Sequence, residues 1–367
     1  MQYEYHVGRV TYVVTDTETT KTCTASDGSF HYTFDKTTGD FMRWGKTEDD
    51  DPLFCPAGPE ILDIEVAEGK CRANCIGCYK KNAKHLPAHN MTLDTYKKIL
   101  DKMPKTLCQV ALGICDVDGN PDFLDMLQYT REQGIIPNFT LTGHGLTDEM
   151  AVEISKVCGA LAVSANPGSK DLCYDTVKKF TDLGMDQINI HIVASKQSEK
   201  FLYEVITDRM HDPRLQKMNA IVFLGVKPKG RAAGTLDPMS LPDYARLLFC
   251  CLNMGVPFGM DSCSGEAYSK CIDALIKDTE QAQELKEMCE PCCITRFSCY
   301  INVDGVYFPC SFMENEENWE TGIDVLEAGD FLDDVWFHDR VEALRKEQSE
   351  KVMCTGCANC PTFKLIG

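Results

Sequence analysis

The residues best equipped for chemistry in this chain are thiols. Cysteine occurs 21 times in 367 residues, and much of it is grouped. Cys71-Arg-Ala-Asn-Cys75-Ile-Gly-Cys78 places three thiols on one C-x3-C-x2-C loop. Thiolates so spaced can wrap one face of a cubane iron–sulfur cluster and ligate three of its four irons, leaving the fourth open to a small molecule. Zinc is the alternative at this spacing; it wants a fourth close ligand, for which His85 or His89 is available. A second group, Cys263, Cys271, Cys289, Cys292, Cys293, Cys299, Cys310, Cys354, Cys357 and Cys360, lies toward the C-terminus. A long chain without a signal-peptide pattern argues for metal ligation over a disulfide framework. Scattered thiols such as Cys23, Cys108, Cys158, Cys173 and Cys250 read as small core residues.

The elements that must position these thiols follow from periodicity. From residue 60 the sequence alternates strand and helix, with strands expected at 61–66, 109–113, 137–141, 160–164, 187–193 and 220–226. Helical patterns fall between or after them at 93–103, 122–133, 148–157, 174–183, 199–210 and 241–252. Six consecutive β/α units predict an α/β fold with a partial (β/α)6 TIM-like barrel; an open doubly wound sheet is the structural alternative. In either, ligands gather at the C-terminal ends of the strands, and the Cys71 loop follows the first strand. Residues 1–59 read as a small N-terminal β element with a hairpin around Thr38-Gly39-Asp40 and a linker, residues 60–255 as the barrel, and residues 256–367 as a cysteine-rich module. A short apolar run at 256–260 leads into that module, which carries helical patterns near 279–288 and 341–347.

The net charge of −19 is concentrated at the two ends of the chain, which argues against a nucleic-acid-coating protein, since phosphate contacts need a basic face. No apolar run is long enough for a membrane-spanning helix, so a cytoplasmic location is expected.

The loop and its barrel together resemble the radical S-adenosylmethionine (radical SAM) superfamily over residues 60–255. The resemblance implies a 4Fe–4S cluster on Cys71, Cys75 and Cys78 whose open iron chelates S-adenosylmethionine. Many members carry an aromatic residue just before the third cysteine; here Gly77 stands there and the nearby aromatic is Tyr79. After the second strand, members often carry a Gly-Gly-Glu-Pro segment that binds the amino group of S-adenosylmethionine. Alignment on Pro121-Asp122-Phe123 puts Gly113 at the leading glycine and Asp116 at the glutamate. A helix-capping aspartate is the alternative reading, with Asp118 its better candidate. The resemblance places Ser164 and Asn166 near the ribose or methionine carboxylate. Asn189 and His191 share one strand face, and Arg231 offers a planar fork for a carboxylate.

The C-terminal pattern, Cys292 followed by Gly305 and Cys310, resembles the SPASM/twitch extension of radical SAM enzymes. That resemblance implies one auxiliary 4Fe–4S cluster, with 2Fe–2S or zinc as alternatives. The expected ligands are Cys292, Cys310, Cys357 and Cys360, with Cys263 and Cys354 as substitutes. The activity implied is reductive cleavage of S-adenosylmethionine to a 5′-deoxyadenosyl radical that takes hydrogen from a peptide or protein, with a flavodoxin or ferredoxin as electron donor. Crosslinking, oxidation and epimerisation are the outcomes to weigh. An epimerisation needs a thiol to return hydrogen, a role open to Cys263 or Cys115. Nucleotide, nucleobase or small-metabolite substrates are the alternative within the family, and a non-catalytic iron–sulfur or zinc protein the alternative outside it.

Overall fold

The computed structural model describes residues 1–47, 50–287, 289, 291–316, 318–355 and 360, with backbone alone over 352–355. The chain begins with an antiparallel meander, β1 (Gln2–Val7), β2 (Val10–Asp16), β3 (Thr20–Ala25), β4 (His31–Asp35) and β5 (Phe41–Trp44), paired in that order. The β4–β5 hairpin turns where the sequence predicted, with Gly39 at φ +83°, a left-handed conformation glycine adopts without a Cβ penalty. One face of the meander buries Tyr12, Val14, Cys23, Tyr32 and Phe34 against Cys108 and Ile136, which lie at or just before the starts of barrel strands. Buried Lys21 Nζ donates to the Leu107 carbonyl at 2.6 Å, and Tyr32 OH to that of Thr106 at 2.9 Å. The meander therefore sits on the N-terminal ends of the barrel strands.

The barrel sheet starts with β6 (Ile61–Glu65); a small hairpin, β7 (Ala67–Gly69) and β8 (Ala88–Asn90), flanks the cysteine loop. Then come α1 (Leu93–Lys102), β9 (Gln109–Gly113), α2 (Phe123–Glu132), β10 (Ile136–Leu141), α3 (Asp148–Val157), β11 (Leu161–Ser164), α4 (Lys170–Asp182), β12 (Ile188–Ala194), α5 (Glu199–His211), β13 (Ile221–Gly225), α6 (Leu241–Met254) and β14 (Phe258–Met260). Strands β6 and β9 to β14 are parallel neighbours in strict chain order. A doubly wound sheet would reverse direction from its first strand; this order does not, so the partial barrel holds. The apolar run at 256–260 supplies a short seventh strand. Local chemistry sets the helix limits: Thr147 Oγ1 caps α3 by accepting from the Met150 N–H at 3.2 Å, and Gly255 at φ +64° ends α6.

The C-terminal module continues the same sheet. After α7 (Gly265–Leu275) and α8 (Thr279–Glu287), β15 (Ser298–Ile301) pairs in parallel with β6; β16 (Val306–Phe308) and β17 (Ile323–Asp324) extend the sheet antiparallel. Helix α9 (Asp339–Thr355) closes the described chain, its buried Arg345 donating to the carbonyls of Thr295 at 2.6 Å and Trp336 at 2.5 Å. Among the described residues, no helix is long and apolar enough to cross a membrane.

Candidate functional site

The Cys71–Cys78 loop leaves the C-terminal end of β6 and is held by another loop that follows β13. Arg231 donates through Nε (3.0 Å) and Nη2 (2.6 Å) to the Cys75 carbonyl, through Nη1 to that of Lys81 (2.8 Å), and through its backbone N–H to that of Cys78 (2.9 Å). Its fork is thus spent on the cysteine loop's backbone. Gly230, at φ +61°, passes so close that a Cβ would lie 2.1 Å from the Tyr79 carbonyl oxygen. At Gly77 a Cβ would meet the end of the Leu236 side chain at 2.4 Å, which would have to move to admit a larger residue. The ring of Tyr79 packs on Phe312 at 4.5 Å, toward the C-terminal module.

Across the loop, Asp116 follows β9. Its Oδ2 accepts from the backbone N–H of Arg72 (2.9 Å) and from Arg72 Nε (3.0 Å), while Oδ1 is buried with no partner among the described residues. Asp118 is not a helix cap: it pairs with Arg72, and the N-cap position of α2 is Asp122, which accepts from the Leu93 N–H at 2.9 Å. Cys115, which donates its S–H to the Ala67 carbonyl at 3.5 Å, lies against Cys71 and, with the Ala73 and Asn74 N–H groups, pulls the Cys71 thiol below the ordinary range. Burial drives Cys75 up to about 11. His89 is occupied elsewhere, against Glu68 (3.0 Å) and Asp304 (3.1 Å).

Strand pairing aligns the residues that face the barrel interior. Tyr300, Asp63, Ala111 and Asn138 are neighbours in one row; Glu65, Gly113, Thr140, Ala162 and Asn189 form the next; Ser164, His191, Val222 and Gly259 form a third. Alternate residues such as Leu62, Ile64, Val110 and Leu112 are buried in the core under the helices. Small residues in these rows leave room in the lumen. Asn189 Oδ1 accepts from Asn219 Nδ2 (3.0 Å) and the Ala220 N–H (3.1 Å), where the chain enters β13. His191 Nδ1 stands 3.5 Å from Thr140 Oγ1, and burial lowers it to about 4, so the ring is neutral at physiological pH. Asn166 directly precedes a short 3-10 turn without capping it, and Ser164 ends β11.

At the mouth, Lys80 joins the two halves of the site. Its ammonium donates to Glu65 Oε2 (2.8 Å), to Tyr300 OH (2.8 Å) and to Glu314, whose Oε1 accepts from Asn302 Nδ2 at 2.9 Å. Sequence periodicity shows charges within the strand 61–66 but not this partnership, which spans residues 65 to 314.

Beyond that network lie four more thiols. Cys263 lies just past β14, Cys292 before β15, Cys310 after β16 and Cys360 after α9. Cys263 is within electrostatic reach of Cys310 and Cys360, Cys292 of Cys263 and Cys310, and Cys310 of Cys360. Burial raises Cys263 to about 12 and Cys310 to about 11, while the Lys227 ammonium, paired with Asp261, pulls Cys263 the other way. Cys357, and the side chain of Cys354, lie outside the described residues. Among the described residues no group of three His, Cys, Asp or Glu converges on a single ion. The donor set fits a cluster better, since each thiolate of a cluster serves its own iron, and the orphaned Asp116 Oδ1 fits a cationic donor on a ligand of that cluster. A cleft of about 840 Å³, lined by Phe41, Arg43, Lys270, Lys286, Cys289 and Arg296 among others, includes none of these ligands.

No protein-family model and no curated protein sequence matches the chain. Solved structures do. Streptococcus suis SuiB bound to its precursor peptide SuiA is 15% identical, covers 94% of this chain and 93% of its own, and superposes with a TM-score of 0.68. SuiB bound to S-adenosylmethionine is also 15% identical, with 89% and 90% covered and a TM-score of 0.63. The structure of anSMEcpe with bound AdoMet and the Cp18Cys peptide is 13% identical, with 82% and 86% covered and a TM-score of 0.58. At these identities the likeness is one of fold: the chain shares, over most of its length, the architecture of SuiB and anSMEcpe.

Proposed function

We propose that this chain is a radical SAM enzyme of the SPASM/twitch type that modifies a peptide or protein. The observation that carries the reading is the three-thiol loop after β6, clamped by Arg231 beside the unpartnered Asp116 Oδ1, with a second group of thiols, Cys263, Cys292, Cys310 and Cys360, within electrostatic reach of one another. The proposed ligands of the auxiliary cluster are those last four; Cys263 moves from substitute to ligand, and Cys357 remains a candidate. A peptide substrate is favoured over a nucleotide or small metabolite because SuiB and anSMEcpe, which share the fold, have been solved with peptides bound.

When bound, a 4Fe–4S cluster with S-adenosylmethionine supplies a one-electron cleavage whose 5′-deoxyadenosyl radical takes a hydrogen atom from the substrate. The chain's own residues do the positioning. Asp116 Oδ1 offers its free lone pairs to the ligand's ammonium, and Arg72 fixes that carboxylate from behind. Arg231 pins the cysteine loop by the carbonyls of Cys75, Cys78 and Lys81 and so fixes its backbone for cluster binding. The meander covers the opposite end of the barrel, so substrate enters from the thiol side and water is excluded from below. An external one-electron donor such as flavodoxin or ferredoxin completes the cycle.

The test is an anaerobic incubation of the iron- and sulfide-reconstituted chain with dithionite, S-adenosylmethionine and short peptides encoded beside its gene. A peptide mass change that accumulates in step with 5′-deoxyadenosine is expected. Formation of 5′-deoxyadenosine with every such peptide unchanged would overturn the peptide substrate.

A further inference from the structure

Arg296 is a buried cation that no described acid pairs with, and it lines a cleft. It sits in the turn before β15, where its backbone N–H donates to the Cys293 carbonyl (3.1 Å) and its carbonyl accepts from the Cys55 N–H (3.0 Å). Only 1% of its surface is exposed. Nε donates to the Leu53 carbonyl at 2.5 Å; among the described residues the rest of the guanidinium has no acceptor, and no carboxylate comes within ion-pairing distance. The residue lines the cleft of about 840 Å³ bounded by β5, α7, α8 and this turn.

The other cations of that cleft are engaged already. Arg43, over the Phe297 ring at 3.6 Å, holds Glu60 through Nε (3.0 Å) and Nη2; Lys270 pairs with Glu266 (2.6 Å) and Lys286 with Asp273 (2.9 Å). Of the remaining acids on the wall, Glu287 accepts from Gln283 (2.9 Å), and the exposed Asp51 favours the Arg296 charge through space without an ion pair. A guanidinium stays protonated even where burial works against its charge, so a desolvated one without a partner favours an anion beside it. Its planar fork, with the rings of Phe41 and Phe297 on the same wall, suits a carboxylate carried on a part-apolar chain. The cleft is also remote from the cysteine loop. Because β15 runs parallel to β6 and Phe297 packs with the meander's core, the turn before β15 lies where the strands begin, and β6 rises about 17 Å from there toward the mouth.

Resting on the reading that the substrate is a peptide, we propose that this cleft is a docking subsite in which Arg296 grips the carboxylate of a glutamate or aspartate of that peptide. The contact is a charge-assisted hydrogen bond from the guanidinium, and apolar neighbours of the acidic residue lie against Phe41 and Phe297. The gripped residue is distant from the one that reacts: at about 3.3 Å per extended residue, at least about five residues separate them.

The test measures fluorescence anisotropy of two pentapeptides, Gly-Phe-Glu-Phe-Gly and its glutamine counterpart, both blocked at their termini and carrying the same uncharged dye, against the cluster-loaded full chain under anaerobic conditions. The wild type should bind the glutamate peptide about tenfold or more tighter, the preference one charge-assisted hydrogen bond supplies. Arg296→Gln should bring the ratio close to one, and Arg296→Lys, which keeps the cation, should keep part of it. Acetate should displace far less of the labelled peptide than an equal concentration of unlabelled peptide does; equal displacement would reduce the cleft to a small-anion site and overturn the docking subsite. Equal binding of the two peptides by the wild type overturns the proposal whatever the stability of the variants, as does a preference that persists in Arg296→Gln. The same wild-type preparation is assayed for 5′-deoxyadenosine: its release without a glutamate preference defeats this inference alone, whereas its absence with the preference intact defeats the radical SAM reading alone.

Discussion

Two aspartates of the barrel, Asp116 and Asp63, differ in how visible they are in the sequence. Asp116 could be found because a motif aligned on Pro121-Asp122-Phe123 points to it; its partner Arg72 could not, since nothing local marks a cation inside a cysteine loop as the clamp on a carboxylate. Charge-assisted hydrogen bonds are worth about 1.5–3 kcal/mol, so Asp116→Asn should weaken S-adenosylmethionine binding to the cluster-loaded chain by about 10–100-fold at unchanged iron content. Equilibrium dialysis against labelled ligand measures this directly. Asp63, exposed mid-strand on β6 among buried apolar neighbours, draws no notice from periodicity alone. Desolvation by the protein around the lumen raises its carboxyl to about 6, and the sign of that shift can be worked out. The folded chain holds this proton to about pH 6 while the unfolded chain releases it near pH 4, so stability falls as pH rises between them and stays lower above. The full shift amounts to about 3 kcal/mol, and screening by lumen water reduces it. Asp63→Asn should therefore be about 1–2 kcal/mol more stable than wild type in urea at pH 8, and the two should converge below about pH 4.

At the element scale, the strands and helices of the barrel were legible and their side-chain alliances were not. Strand β9 and helix α3 fall on the predicted residues, because alternation in one and a Thr147 cap with a 3.6-residue period in the other are local signals. The clamp of Arg231 on Cys75 and Lys81 and the tie from Lys80 to Glu314 join segments more than 140 residues apart, which no periodicity reports. The placement of β15 beside β6 is of the same kind, since no local pattern assigns it a seat in the barrel sheet. The Lys80 network is the joint between the two thiol-bearing loops. Lys80→Met would leave Glu65 and Glu314 buried without their cation, and removing one partner of a buried ion pair costs about 3–5 kcal/mol. Denaturant unfolding should show that loss, and the double variant Lys80→Met/Glu314→Gln should recover part of it, since fewer charges are stranded.

The whole molecule is a barrel with distinct ends. The N-terminal meander seals the end where the strands begin, through Cys108, Ile136 and the carbonyls of Thr106 and Leu107, and the Cys71–Cys78 loop occupies the other. The polar, roomy lumen between them, with Asp63, Thr140 and His191 on its wall, is the space a substrate would fill. The two thiol sets are expected to hold separate clusters, of which only the first drives chemistry. Iron analysis with 5′-deoxyadenosine quantification, on the wild type and on the triple variant Cys71→Ala/Cys75→Ala/Cys78→Ala after the same anaerobic reconstitution, tests it most directly. About eight irons per chain with 5′-deoxyadenosine release are expected in the wild type, and about four irons with none in the variant. Equal iron in the two proteins, or 5′-deoxyadenosine formed by the variant, would contradict it.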